Sequence, residues 1–363
     1  MFQASGSRDA SLDQVRLFAI VYGCLRFVER RTGFKQCVIT YHYHPFRDRY
    51  ESYTPYRTLP PADQKLHGDR VVESLAKILG HRAFNSGLVG VDVSGCFLDP
   101  AAITVLAASL SKVGLARVDL SGNGLSGETF DRYGRSSGVD SDLAGITTFC
   151  EALPSSKITE LLISKCGLGP KSIAIVAASL ATAGVTRVDF SGNNLTGGEM
   201  GWNAEGSVKD VFKVGKDVIG LQQLTKALPT SKIVELIISN CGIGPDAVSI
   251  LAASLATAGL AEVDISGNFP MGRISRDNDG QGPWLPGKDM SGWRELCTSL
   301  AGSKVKSVKA ANCELGPEPI SALAATLATA GVVAVDLRNN RFDPSLLDGI
   351  KHKIKLNLDG CRP

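Results

Sequence analysis

The sequence predicts an α/β solenoid of stacked strand–turn–helix units. The first observation is self-similarity: ITELLISKCGLGPKSIAIVAASLATAG from Ile158 returns as IVELIISNCGIGPDAVSILAASLATAG from Ile233. Repeats of this kind have to be recognised first, because they decide the whole architecture. The second is period-two alternation at the head of each unit. In LARVDLSGN, Leu115, Val118 and Leu120 take one face of a strand while Arg117 and Asp119 take the other. The third is a proline at the start of a small-residue helix, at Pro100, Pro170, Pro245 and Pro317. Proline suits a first helical turn, where its missing N–H is not needed.

From the N-terminus, Leu12–Arg31 reads as a helix with Ser11 as N-cap and Thr32-Gly33 as its stop. Its apolar centre, Leu17–Leu25, is flanked by Asp9, Asp13 and Glu29 and lacks a cleavage site, so it reads as an amphipathic helix and not a signal peptide. Cys37–His44 alternates like a strand, a Tyr-, Arg- and Pro-rich stretch runs through Pro61, and Asp69–Phe84 reads as a helix. Residues 1–87 are therefore expected to be a capping region, with 37–87 a degenerate first unit. Residues 88–363 form the array. Short units span Leu88–Gly114, Ile158–Gly184, Ile233–Gly259 and Val305–Gly331, and long units span Leu115–Lys157, Val185–Lys232 and Leu260–Lys304. Val332 opens a last unit, closed by a strand in Ile354–Cys361. At the turn after each strand, long units carry asparagine, as at Asn123, whose amide can satisfy bare backbone groups. Short units carry cysteine there, at Cys96, Cys166, Cys241 and Cys313.

These repeats, with LxxLxLxxN/C and alternating Cys and Asn units, resemble the ribonuclease-inhibitor-like class of leucine-rich repeat. The resemblance covers about Leu88–Cys361. It implies a horseshoe with a parallel sheet on the concave face, helices on the convex face, and a protein as partner. The chain departs from it by insertions in every complete long unit: Gly127–Asp142, Thr196–Lys216 and Phe269–Ser291. All leave the C-terminal edge of a strand, so all are expected on one side of the solenoid.

Bulk properties narrow the function. The net charge of +3, with both signs interspersed, argues against a dedicated nucleic-acid binder. No apolar run reaches the roughly 18 residues of a membrane span. Equivalent cysteines two repeats apart lie roughly 10 Å from one another, beyond disulfide reach. They read as buried free thiols, which together with the absent secretory signal places the chain in a reducing, cytoplasmic compartment. No nucleophile elbow, phosphate loop or zinc signature occurs, so no catalytic residue, cofactor or metal is assigned. His42 and His44 share a strand face without a third ligand, and DNDG at Asp277–Gly280 lacks the later glutamate of a calcium loop.

Two partner-binding surfaces remain. On the concave strands one outward position reads Asp92, Asp119, Leu162, Asp189, Ile237, Asp264, Lys309, Asp336. The position two before it reads Gly90, Arg117, Glu160, Arg187, Glu235, Glu262, Ser307, Ala334. Together they predict a mildly acidic strip with apolar gaps. The insertions are the second surface, with Trp202 and Trp284 as exposed anchors or as a satellite core between insertions; Trp293 lies beside them. The reading is a non-enzymatic scaffold docking a protein through Arg117, Asp119, Glu160, Arg187, Asp189, Glu235, Asp264, Trp202 and Trp284. One alternative is a regulator resembling the Ran GTPase-activating proteins, whose acidic tail has no counterpart in KHKIKLNLDGCRP. Another is a structural subunit of a larger complex, held by its N-terminal region.

Overall fold

The computed structural model describes residues 26–29, 35–40, 61–80, 88–110, 113–130, 136–202, 209–213, 215–275 and 284–362. In chain order, β1 (Arg26–Glu29) and β2 (Lys35–Thr40) precede α1 (Pro61–Gly80), β3 (Leu88–Asp92), α2 (Pro100–Leu110) and β4 (Arg117–Asp119). Next come β5 (Thr129–Phe130), β6 (Ser136–Ser137), α3 (Ala144–Ala152), β7 (Glu160–Leu162), α4 (Pro170–Leu180) and β8 (Arg187–Asp189). Then follow β9 (Glu199–Trp202), β10 (Lys209–Lys213), α5 (Ile219–Ala227), β11 (Glu235–Ile237), α6 (Pro245–Leu255) and β12 (Glu262–Asp264). The chain closes with β13 (Arg273–Ser275), β14 (Trp284–Pro286), α7 (Ser291–Ala301), β15 (Ser307–Lys309), α8 (Pro317–Leu327), β16 (Ala334–Asp336) and β17 (Lys355–Asn357).

Eleven of these strands form one sheet in the order β1-β2-β3-β4-β7-β8-β11-β12-β15-β16-β17. Only the β1–β2 pair is antiparallel; from β2 onward every neighbour is parallel. Between parallel neighbours a helix or helical turn carries the chain back, so each unit contributes one layer of sheet and one of helix. The core fills the space between those layers. Leu115, Val118 and Leu120 are fully buried, as are Leu161, Ile163, Val185 and Val188 in the next two units. The short-unit helices α4, α6 and α8 each start with proline at the first turn, as the sequence predicts.

The helix expected over 12–31 is corrected in part: Arg26–Glu29 is a strand, paired with β2 from Arg26↔Val38 to Glu29↔Lys35. An available sheet edge outweighs the local helical pattern, since strand formation depends on its neighbours more than on intrinsic preference. The rest of that stretch, with His42 and His44, lies outside the described residues. The helix expected from Asp69 begins earlier, at Pro61.

Alternation of Asn and Cys has a definite geometry. Asn193 accepts from Cys166 N (2.8 Å) and Leu168 N (3.1 Å) of the preceding short unit. Its Nδ2 donates to Ile163 O of that unit (2.7 Å) and to Phe190 O of its own (2.8 Å). Asn123, Asn268 and Asn340 make the same four bonds. Each is buried, where an unmet backbone group would be costly. The cysteine reaches backward by one weaker bond, from Cys166 Sγ to Leu120 O at 3.2 Å.

A candidate docking face on the concave sheet

Strand register places Arg117 beside Glu160, Glu160 beside Arg187, and Arg187 beside Glu235. Arg117 Nη1 donates to Glu160 Oε1 at 2.8 Å, and its Nη2 lies 3.6 Å from Asp119 Oδ2. Arg187 Nη1 donates to Glu235, and its Nε stands 3.2 Å from Glu160 Oε1 without the alignment of a hydrogen bond. Burial works against the charge of Arg187, but Glu235, Glu160 and Asp189 outweigh it and hold the guanidinium firmly protonated. Four strands are thus laced by an alternating ladder, and at its far end Lys309 pairs with Glu262.

The neighbouring row is different. Asp92, Asp119, Asp189 and Asp264 each turn Oδ1 to the backbone N–H two residues on, at Ser94, Ser121, Ser191 and Ser266. That bond holds the carboxylates upright along the C-terminal edge of the strands. Among the described residues Asp92, Asp189 and Asp264 have no ion pair. Burial is the main reason the Asp119 carboxyl lies above its ordinary pKa; the Ser121 hydrogen bonds oppose the rise and the field of Asp92 adds to it. A row of half-buried serines (Ser94, Ser121, Ser164, Ser191, Ser239 and Ser266) completes the edge, with Ser239 Oγ donating to Ser191 Oγ at 2.8 Å.

One expectation about this face is corrected. Leu162 and Ile237 are 7% exposed and open no apolar gaps. Register sets Leu162 between Asp119 and Asp189, and Ile237 between Asp189 and Asp264. The face presents polar side chains over covered apolar ones.

Each insertion contains an antiparallel hairpin: β5–β6, β9–β10 and β13–β14. All three close by the same neck. Asp142 N donates to Ser126 O, Asp217 N to Thr196 O and Asp289 N to Met271 O, at 3.0, 3.1 and 3.2 Å. Each aspartate then accepts from the backbone two residues on, at Ala144, Ile219 and Ser291. The following glycine lets the long-unit helix pack on its predecessor. A Cβ on Gly145, Gly220 or Gly292 would come within 2.2, 2.5 and 2.1 Å of the carbonyl oxygens of Pro100, Pro170 and Pro245. This D-x-x-G box stands in the sequence as DLAG, DVIG and DMSG, and it marks where each insertion ends. A search for strand and helix periods passes over it, although it repeats in every long unit.

Of the tryptophans, Trp293 is fully buried in α7 and its Nε1 donates to Pro319 O at 2.8 Å. Trp202 stands on β9 opposite Lys209, and Trp284 on β14 opposite Ser275. Their side chains lie outside the described residues, as does the Asp277–Gly280 loop. Strand β6 lies near β9, which brings the first two hairpins together. Cys96, Cys150, Cys166, Cys241, Cys297, Cys313 and Cys361 are free thiols, and burial pushes Cys96, Cys150, Cys297 and Cys313 up to about 12. Among the described residues no His, Cys, Asp and Glu group could hold a metal, and no helix is long and apolar enough to cross a membrane.

Parallel strands alternating with helices, Asn and Cys turns in strict alternation and one continuous core decide the architecture. The chain is a leucine-rich repeat solenoid. No family model matches it, and no curated protein matches it either. Among solved structures 103 chains match. One belongs to the crystal structure of a TLR13–ssRNA13 complex, at 14% identity and a TM-score of 0.40, covering 77% of this chain and 33% of that one. The solenoid therefore spans about a third of that chain's length. So distant a likeness carries no ligand or partner across.

Proposed function

We propose that this solenoid is a non-enzymatic docking scaffold that binds a protein partner on its concave face, flanked by the three hairpins. The observation that carries the reading is the contrast between the two concave rows. The ladder Arg117, Glu160, Arg187, Glu235 neutralises itself and stiffens the sheet, whereas Asp92, Asp189 and Asp264 keep carboxylates without ion pairs on a fixed spacing. A rigid array binds without much ordering cost, and a negative row selects a partner that presents lysine or arginine. Trp202 and Trp284, on hairpins beside that row, are the proposed apolar anchors, and Arg117, Asp119, Glu160, Arg187, Glu235, Asp189 and Asp264 the polar ones. In this reading residues 1–87 cap the array of 88–363. The seven cysteines left as free thiols among the described residues support a reducing, cytoplasmic setting.

The test is capture of partners from source cells, with cross-links mapped. It compares the full chain, a variant with Asp92, Asp189 and Asp264 changed to lysine, and one with shortened hairpins. The expected result is one protein lost on charge reversal and cross-linked to the concave row. A partner retained by both variants, whether a small GTPase or an assembly cross-linked only through residues 1–87, overturns the reading.

A further inference from the structure

Strand β17 (Lys355–Asn357) ends the sheet, and among the described residues nothing pairs with its outer edge. Its inner edge is bonded to β16: Lys355 N donates to Val333 O, while Asn357 O and Asp359 O accept from Leu337 N and Asn339 N. Residues 355, 357 and 359 therefore turn their backbone groups inward, and Leu356 and Leu358 turn theirs outward. Leu358 O accepts from Cys361 N in the following turn and keeps a second lone pair. The apolar layer is open here as well. Leu356 and Leu358 are half-buried, whereas the equivalent Val335 on β16 and Leu337 just after it are 2% and 0% exposed.

The sequence of this edge, Lys355-Leu356-Asn357-Leu358-Asp359, is complementary to itself when reversed. We propose that β17 pairs antiparallel with β17 of a second copy of this chain, on a two-fold axis through Asn357. In that register Lys355 faces Asp359 of the other copy, and Asp359 faces its Lys355. Both residues are exposed, and neither has an ion pair among the described residues. Leu356 faces Leu358 of the other copy, and these are the residues whose N–H and C=O groups point outward, so they form the hydrogen-bonded pairs of an antiparallel ladder. A two-fold normal to the sheet keeps core side with core side, so the four leucines continue the apolar layer across the junction. Sliding the register by one step either way sets Lys355 opposite Asn357 or beyond the strand, and separates both charges from their partners. A charged residue on an edge normally blocks pairing. Here it rejects every register but one.

Three variants of the full chain test this, read by sedimentation equilibrium over a range of concentrations. Wild type is expected to dimerise. Lys355→Asp places like charges opposite each other and is expected to weaken the dimer at least tenfold. The exchange Lys355→Asp with Asp359→Lys restores complementarity and is expected to recover it. Directly opposed residues at a non-hydrogen-bonded site have Cα atoms about 4.5 Å apart, within disulfide range. Asn357→Cys, with Cys361→Ser to remove the nearby thiol, is therefore expected to form a disulfide-linked dimer under mild oxidation. Lys355→Asp added to it should suppress that dimer. Lys355 and Asp359 are at the surface, so an unchanged far-ultraviolet spectrum and Tm will confirm that the charge variants fold. A chain that stays monomeric at all concentrations overturns the proposal. So does a dimer indifferent to both charge changes, or one that binds a different protein at β17 in place of its own copy.

Discussion

Two kinds of joint alternate along the solenoid, and they are held by different means. From a short unit to the long unit after it, a buried asparagine makes three bonds back and one within its own unit, and the two helices meet across a glycine. From a long unit to the next short unit, the cysteine contributes one weaker bond and the helices stand further apart. What else crosses there comes from the concave ion pairs Arg117–Glu160, Arg187–Glu235 and Lys309–Glu262, and from the insertion or the long-unit helix. Ser126 Oγ donates to Gly167 O, and Thr196 Oγ1 to Gly242 O at 2.9 Å. Asp140 accepts from three backbone N–H groups in the first turn of α4, at 2.8 to 3.2 Å, and from Ser172 Oγ. At the third such joint Met271 occupies the place of the hydroxyl, and the Trp293 indole reaches Pro319 O instead. The array is a chain of two-unit blocks, and the hairpins are partly the mortar between them.

The largest effect should come from the asparagine. Asn193→Ala leaves two N–H groups and the Ile163 carbonyl buried without their partner, and about 3–5 kcal/mol of stability should be lost in urea denaturation. Cys166→Ala, at the other joint, should cost about 1 kcal/mol. Equal costs would remove the distinction between the joints. Next in size, Gly292→Ala drives a Cβ to 2.1 Å from Pro245 O and should cost about 2–3 kcal/mol. Gly302→Ala, with nothing within 4 Å, should stay within about 0.5 kcal/mol of wild type. Asp140 has a positive φ of 58°, so Asp140→Gly removes the cap without backbone strain, and a loss of about 1 kcal/mol is expected. Amide exchange in the first turn of α4 should rise with it, which sharpens the claim that an insertion secures the following unit.

Smallest is a reactivity difference. With Cys96, Cys150, Cys297 and Cys313 pushed up to about 12, raising the pH from 7 to 9 leaves them as neutral thiols. Alkylation of the folded chain, followed by mass spectrometry, should therefore label the half-exposed Cys361 well before these four. Rapid labelling of Cys166 or Cys241 would mean that the long-to-short joints open readily.

Much of this was legible in the letters. Alternation at Leu115, Val118 and Leu120, proline at Pro170 and Pro245, and the Asn–Cys exchange each state a local requirement of backbone geometry, and local requirements survive in sequence. The concave ladder was only half legible. Arg187 bonds Glu235 and touches Glu160 because β8 lies between β7 and β11, and that is a fact of neighbours. Leu162 and Ile237 occupy outward positions, so periodicity made them gaps; their covering depends on the side chains of adjacent strands. Arg26–Glu29 was misread for the same reason, since a strand that exists to pair with β2 carries little signal of its own. The insertion necks were written plainly as DLAG, DVIG and DMSG.

Those necks have an evolutionary consequence. Because each is closed by one aspartate and returns the chain to a fixed helix start, the hairpin beyond it can change in length and composition without disturbing the register of the array. The condition is that contacts to the next unit, such as those of Asp140, are kept. The three hairpins already differ in strand length and share no obvious sequence. Such a molecule can vary its fringe while its frame stays constant, and a foreign hairpin grafted between Thr196 and Asp217 should be carried as readily as the native one.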